Sequence, residues 1–218
     1  MPKSTTGRAM PFFTTGMITG PKYKIARRLG APIFEKTQTQ KYALHLERRG
    51  KKQGFSKQKT EYGVQMNEKQ KARFTYGLSE RQFSNYVKEA LGKKSHNVTQ
   101  DIFEFLECRL DNVIYRIGFS TTRLGSRQIV SHGHITVNGK KVDTPSLRVK
   151  IGDIIGIRQG SLGKTIFKNL DEREKSASVP SWIQYDGAKK AAKIQGKPML
   201  AGTQNMFDLN TVIEFYSR

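Results

Sequence analysis

Apolar positions become periodic only after Tyr62-Gly63. Asn67 reads as the cap of a helix that runs to Tyr76, with Gly77 as its left-handed stop. Ser79 opens a second helix, and Gln82, three residues on, completes a reciprocal capping pair. Phe83, Tyr86, Val87, Ala90 and Leu91 follow at helical spacing, and Gly92 ends the run. This helical pair carries one narrow apolar stripe, which needs a cover from later in the chain.

The next stretch is the most informative. Thr99 is read as the cap of one long helix with Ile102, Leu106, Leu110, Val113, Ile114 and Ile117 on a single stripe, stopped by Gly118. Phe119 falls where a helix-ending apolar contact usually sits. Thr121 then opens a shorter helix holding Leu124, Ile129 and Val130, and Gly133 stops it. Ile135 and Val137 alternate as a strand, Asn138-Gly139 fits a two-residue hairpin turn, and Val142 lies on the return strand. Leu147, Val149 and Ile151 alternate again, and Ile154 to Ile157 reads as a final strand. Beyond it, Leu170 to Lys175 reads as a mixed-charge, solvated helix. Residues 176–218 read as extended and loop-rich, with a strand over Thr211 to Tyr216.

Charge changes the picture. The 218 residues hold 39 Lys+Arg against 18 Asp+Glu, a net charge of +21, and the pI is near 10.2. Apolar residues make up 36%, with a mean hydropathy of −0.61, yet there are 12 Phe and 8 Tyr. Modest cores inside a basic surface fit these values, and a polyanion is the natural partner. More than half of the excess lies in residues 1–60, which carry 14 basic and 2 acidic side chains. That segment lacks sustained periodicity. It fits a disordered basic tail or a segment that orders on nucleic acid.

Much chemistry is excluded. A single cysteine, Cys108, allows neither an intrachain disulfide nor a thiolate zinc finger. No apolar run is long enough to span a membrane. The first residues lack the apolar core of a secretory signal, so a cytoplasm-like compartment is preferred over an organellar one. The stretch Gly160 to Thr165 lacks the spacing of a phosphate-binding loop, because its first glycine would fall at Arg158. His132 and His134 lack the partners of a metal set and read as surface or RNA-facing groups. Carboxylates are scarce and form no evident pair in a pocket.

Basic residues are spaced for a phosphate backbone. Arg109 and Arg116 fall off the apolar stripe of their helix. Arg123 and Arg127 are four apart and are expected to project to solvent from one side. His132, the hairpin tip with Asn138, Lys140 and Lys141, and then Arg148 and Lys150 extend that face. The two short helices also fit a helix-turn-helix for DNA, but the immediate hairpin and the spread of charge favour folded RNA.

Here a family resemblance emerges. Arg109-Leu110-Asp111-Asn112-Val113-Ile114-Tyr115-Arg116-Ile117-Gly118-Phe119, Thr122-Arg123, Ser126 to Ile135 and Val137-Asn138-Gly139-Lys140 resemble the hallmark of small-subunit ribosomal protein four, in its bacterial and organellar type. Gly20-Pro21-Lys22-Tyr23-Lys24 with Arg27-Arg28 resembles the family's N-terminal motif. Tyr62 to Lys71, Tyr76-Gly77 and Glu80 to Phe83 resemble its helical domain. Val179-Pro180-Ser181-Trp182 and Val212 to Arg218 resemble its C-terminal segment. Two departures stand out: residues 1–19 precede the family's usual start, and Arg49 to Phe55 stands where many relatives carry a proline-glycine-glutamine-histidine-glycine stretch.

The resemblance implies an α+β chain, mainly helical, with an inserted module of two helices and a small β-sheet that binds RNA. Residues 1–45 would form a basic N-terminal extension. Residues 46–98 would form the helical domain, completed by 173–218, and 99–172 the inserted module. It implies a non-enzymatic constituent of the small ribosomal subunit that binds small-subunit rRNA, nucleates assembly, lies near the mRNA entry path and contributes to translational accuracy. Its partners would be rRNA, neighbouring proteins including protein five, and mRNA near the entry channel, with no membrane and no cofactor. The implied RNA-binding set is Lys22, Lys24, Arg27, Arg28, Lys69, Lys71, Arg73, Arg81, Arg109, Arg116, Arg123, Arg127, His132, Asn138, Lys140, Lys141 and Arg148. An enzyme bearing the same module, such as a pseudouridine synthase, would need a catalytic domain that the chain lacks outside the module. A free translational regulator would not need the flanking Trp182 and Tyr216 motifs.

Overall fold

The computed structural model describes residues 20–48, 60–93, 95–170, 172–173, 178–200 and 206–217. The element order is α1 (Lys22–Leu29), α2 (Gln40–Arg48), α3 (Glu61–Tyr76), α4 (Glu80–Gly92), α5 (Val98–Glu107), α6 (Leu110–Ile117) and α7 (Arg123–Ser131). The strands β1 (Ile135–Val137), β2 (Lys140–Val142), β3 (Ile154–Ile157), β4 (Ile183–Asp186) and β5 (Ala191–Ile194) follow, and then α8 (Leu209–Tyr216). The α+β architecture matches the sequence expectation.

Several local expectations hold. Ser79 and Gln82 form the reciprocal cap of α4. Gly77, Gly118 and Gly133 sit in the left-handed region. Asn138 and Gly139 both have positive φ, as a hairpin turn matching the strand twist requires.

Others are corrected. Helix α3 starts at Glu61, capped by the Thr60 hydroxyl, and not at Asn67. Gly63 costs the helix about 1 kcal/mol relative to alanine, but it lies in the first turn, where packing downstream outweighs it. The long helix expected from Thr99 is two helices. Asn97 caps the first, and Arg109, in an extended conformation, separates it from the second. The break has a cause in hydrogen bonding. Arg109 bridges to Arg148, the Leu110 N–H donates to the Leu147 carbonyl (2.8 Å), and the Val149 N–H donates to the Cys108 carbonyl (2.9 Å). An uninterrupted helix would forfeit these cross-links.

Thr122, one residue after the expected Thr121, caps α7, and Leu124 is exposed rather than part of the core. Only Val149 of the Leu147–Ile151 alternation is buried, and no strand forms there beyond the single Arg109–Arg148 bridge. Leu170 is helical and buried, so that turn is anchored in the core rather than solvated throughout; residues 171 and 174–175 lie outside the described set.

The C-terminal region departs most. Residues 209–216 are a helix, because Asp208 accepts hydrogen bonds from the Asn210 and Thr211 N–H groups and so caps a first turn. Strand propensity at Val212 and Ile213 yields to that cap and to packing on α3. The basic N-terminal stretch, read as unpatterned, folds two helices onto a small core of Ala26, Leu29, Ile33, Phe34, Tyr42 and Phe74. Residues 1–19 lie outside the described set.

Among the described residues, three cores organise the molecule. The sheet has strand order β2-β1-β3-β5-β4, antiparallel throughout. Its inner face meets α6 and α7 through Ile114, Ile117, Val130, Ile135, Ile155 and Ile194. The β4–β5 hairpin therefore lies in the same sheet as β1–β3, and Trp182 and Ile183 join that core. Helix α8 lies on α3 and sends Leu209 and Val212 into the second core with Phe83, Val87, Ile102 and Leu106.

Truncation before Leu209 therefore has a local outcome. Burying side chains such as Leu209 and Val212 contributes about 1.5–3 kcal/mol each, a large share of a domain's roughly 5–15 kcal/mol. Hydrogen exchange of the truncated chain is expected to show faster exchange across α3 and α4. Protection at β1 and β2 should be retained, and uniform loss would mean one cooperative unit.

Candidate nucleic-acid interface

Side chains of the Arg109–Arg116 stretch turn inward. Arg109 is 2% exposed and grips Asp111 with two bonds, Nε–Oδ1 at 3.0 Å and Nη2–Oδ2 at 2.8 Å. Its Nη1 donates to the Tyr86 hydroxyl at 2.6 Å. Arg127 reaches the same carboxylate, with Nε and Nη2 at 3.0 and 2.8 Å from Oδ2. It also caps the end of α3, donating to the carbonyls of Gly77 (2.6 Å) and Tyr76 (3.3 Å).

A second carboxylate does the same one turn away. Glu107 is 1% exposed and accepts from Arg116 Nε (2.9 Å) and Nη2 (2.8 Å), Asn112 Nδ2 (2.8 Å) and the Tyr76 hydroxyl (2.8 Å). Asn112 Oδ1 accepts from Arg123 Nε at 2.9 Å, and the Arg123 guanidinium stacks 4.4 Å from the Tyr115 ring centroid. Burial pushes the Glu107 carboxyl up, but the hydrogen bonds and charge of Arg116, with Arg123 and Tyr76, outweigh it and hold the group below its ordinary value. The Tyr76 hydroxyl moves well above its ordinary value through burial and the Glu107 charge.

The expectation that Arg123 and Arg127 project freely to solvent therefore fails. Their guanidinium groups tie α7 to α6 and to the end of α3. Arg148 has a similar place at the rim, paired with Glu89 (2.6 and 2.5 Å) and 4.3 Å from the Phe105 ring centroid. Lys69 is buried against Glu80 (2.8 Å) and Phe215 (4.2 Å). Lys71 pairs with Glu68 (2.6 Å), and Arg73 bonds Gln70 and lies over Phe74. Asn138 shapes its own turn through Asp153 and the Ile154 N–H.

The remaining candidates face outward. Lys24, Arg27, Arg28, Arg81, His132, Lys140 and Lys141 are exposed, and Lys22 is half-buried. None has an acidic partner among the described residues. Exposed Lys41, Arg48, Lys88, Lys150, Arg158, Lys164 and Lys168 add to them; no local motif marks these as a set. His134, read as a surface group, is buried, with Nδ1 3.0 Å from the Ser161 hydroxyl. Burial and the nearby cations Lys164, His132 and Arg158 lower its pKa. Sequence reasoning missed Glu107 and Asp111. Their spacing, four apart inside an arginine-rich apolar stretch, was the available signal. Burial pushes the Cys108 thiol up to about 12, so it is no nucleophile at neutral pH. No group of metal-ligating side chains occurs among the described residues.

A helical unit locked by buried arginines onto a two-helix and hairpin unit, with lysines and arginines outside, defines a class: a rigid, basic RNA-binding protein. Residues 17–107 match the model of the ribosomal protein S4/S9 N-terminal domain, and residues 108–155 match that of the S4 domain. The chain is 40% identical to small ribosomal subunit protein uS4 of Akkermansia muciniphila over 92% of its length and 98% of the relative's. The uS4 proteins of Herpetosiphon aurantiacus and Levilactobacillus brevis are 40% and 39% identical, each with the same coverage. The chain belongs to the small ribosomal subunit protein uS4 family, a structural and non-enzymatic one.

Removing either buried carboxylate tests the lock. Glu107→Gln leaves Arg116 without its countercharge, and breaking such a pair costs about 3–5 kcal/mol; urea unfolding at neutral pH measures it. Since the folded Glu107 carboxyl is held low, its stabilisation is complete above the ordinary carboxylate range and is lost as pH falls through the folded value. The wild-type Tm should therefore fall more steeply with acid than that of Glu107→Gln. Parallel curves would remove Glu107 from the acid response.

Proposed function

We propose that this chain is a constituent of the small ribosomal subunit that binds small-subunit rRNA directly, through phosphate contacts spread over its three units. The observation that carries this reading is the division of its cations. Arg109, Arg116, Arg123 and Arg127 are bound to internal acceptors, while Lys22, Lys24, Arg27, Arg28, Arg81, Lys140 and Lys141 have no acidic partner among the described residues. The first group fixes the relative positions of the units, and the second meets phosphates. In this reading the helical unit and the module act as one rigid body, which suits recognition of folded RNA by shape.

The finer parts of the proposal rest on family membership. The protein joins the subunit early and nucleates its assembly, borders the mRNA entry path, and touches protein five among its neighbours. It influences translational accuracy from that place. The ribosome it serves is the cytoplasmic one. Of the expected boundaries 1–45, 46–98 with 173–218, and 99–172, we propose to move two, because α5 packs in the core of the helical unit and the β4–β5 hairpin in the sheet of the module.

Two measurements test the binding mode. With roughly 6–10 phosphates contacted, affinity for a small-subunit rRNA transcript should fall about 10³–10⁵-fold between 50 and 200 mM salt. A salt-insensitive affinity contradicts the proposal, as does failure to co-sediment with small subunits after a moderate salt wash. Combined Lys24→Ala, Arg27→Ala and Arg28→Ala should reduce the salt slope by about 0.7–0.9 per lost contact and leave Tm unchanged. Arg123→Ala with Arg127→Ala should instead lower Tm.

A further inference from the structure

Between α1, the end of α3 and the start of α7 lies a small cleft that is open to solvent. Its floor is apolar, formed by Ile33, Phe34 and Phe74, and Leu124 stands half-exposed in its wall. Leu124 was expected in the core from its sequence position. The structure leaves it facing this space instead.

The polar groups around the cleft are few and chemically distinct. Lys22 has only the Phe34 ring beneath its ammonium, at 5.7 Å, and no acidic partner among the described residues. Arg123 uses its backbone N–H on Glu35 Oε1 (3.3 Å) and its Nε on Asn112, so its terminal Nη donors are without partners among the described residues. The Glu35 carboxylate accepts only that one N–H among the described residues and keeps its second oxygen for another donor. Two cations with spare donors, a carboxylate with a spare acceptor and an apolar floor thus share one small cleft.

We propose that this cleft takes a single unstacked guanine nucleotide of RNA, a subsite that rests on the rRNA-binding reading. A base unstacked from a strand seeks apolar contact and partners for its Watson–Crick edge. Guanine presents two adjacent N–H donors there, which a carboxylate accepts and which adenine lacks. Its base lies on the Phe34 and Phe74 floor, N1–H and N2–H donate to Glu35, and its phosphate meets Lys22 and the Nη groups that Arg123 keeps outside its internal bond to Asn112. The cations match a polyanion, and the carboxylate selects among its bases.

Titration of the full chain with GMP, AMP and inorganic phosphate, followed by ¹H–¹⁵N NMR, tests the assignment. GMP should shift the amides of Thr75, Gly77 and Leu124 and bind about tenfold more tightly than AMP, within the range of a bidentate base contact. Inorganic phosphate alone should leave Thr75 and Gly77 unmoved. Glu35→Gln keeps an acceptor for the Arg123 N–H and should erase the difference between GMP and AMP. Leu124→Trp, at an exposed position, should abolish the response by filling the cleft.

Equal affinity for GMP and AMP, or a phosphate response that reproduces that of GMP, overturns the subsite. So does a response to tyrosinamide without one to GMP, which assigns the cleft to a protein side chain. Binding to the rRNA transcript, measured on the same sample, separates the two readings. Retained transcript binding with no GMP response removes the subsite alone, and loss of both removes both.

Discussion

An ionised carboxylate with almost no access to water must be ringed by donors, and Glu107 and Asp111 are two such groups four residues apart. Each collects more than it could find on its own helix. Asp111 draws Arg109 from the helix break and Arg127 from α7, while Glu107 draws Arg116, Asn112 and the Tyr76 hydroxyl. Because Tyr86 and the carbonyls of Tyr76 and Gly77 belong to the helical unit, the same contacts bind that unit to the module. Hydrophobic burial would tolerate sliding at such a junction. Forked guanidinium contacts do not, because their donors have fixed directions.

This arrangement explains how a chain with a net charge of +21 holds a defined shape. Its scarce acids are spent where they matter most. Glu107, Asp111, Glu80 and Glu89 each neutralise basic side chains at packing contacts between elements. The cations left outside then repel one another across a frame that is already fixed. That repulsion is relieved when a polyanion arrives, so binding requires little rearrangement of the protein.

The sequence made local geometry legible and long-range pairing much less so. The Ser79 cap, the glycine stops and the Asn138-Gly139 turn were readable because each depends on a few adjacent residues. The break at Arg109 was not, because its cause is a bridge to Arg148, distant in the chain. Likewise, β4 alternates over only four residues and β5 opens on two alanines, and the pairing of β5 with β3 and of β4 with β5 comes from the sheet they join. Charge count alone marked the surface as basic. It did not separate Arg127, bound to Asp111, from Arg28, which stands in solvent, since both are simply arginines near other arginines.

The placement of α8 bears on the order in which the molecule comes into being. Gln65 on α3 and Glu214 on α8 are hydrogen-bond partners 149 positions apart, and every intervening element is made before they meet. Closing so long a loop carries an entropic cost that only later contacts offset. During synthesis, α6, α7 and the β1–β3 strands emerge with most of their own core present. The helices α3 and α4, though made earlier, must wait with an uncovered apolar face. The unit built on α3 and α4, though made before the module, is thus among the last to mature, and its transiently exposed face is the point at which a newly made chain is most open to aggregation or to early capture by RNA.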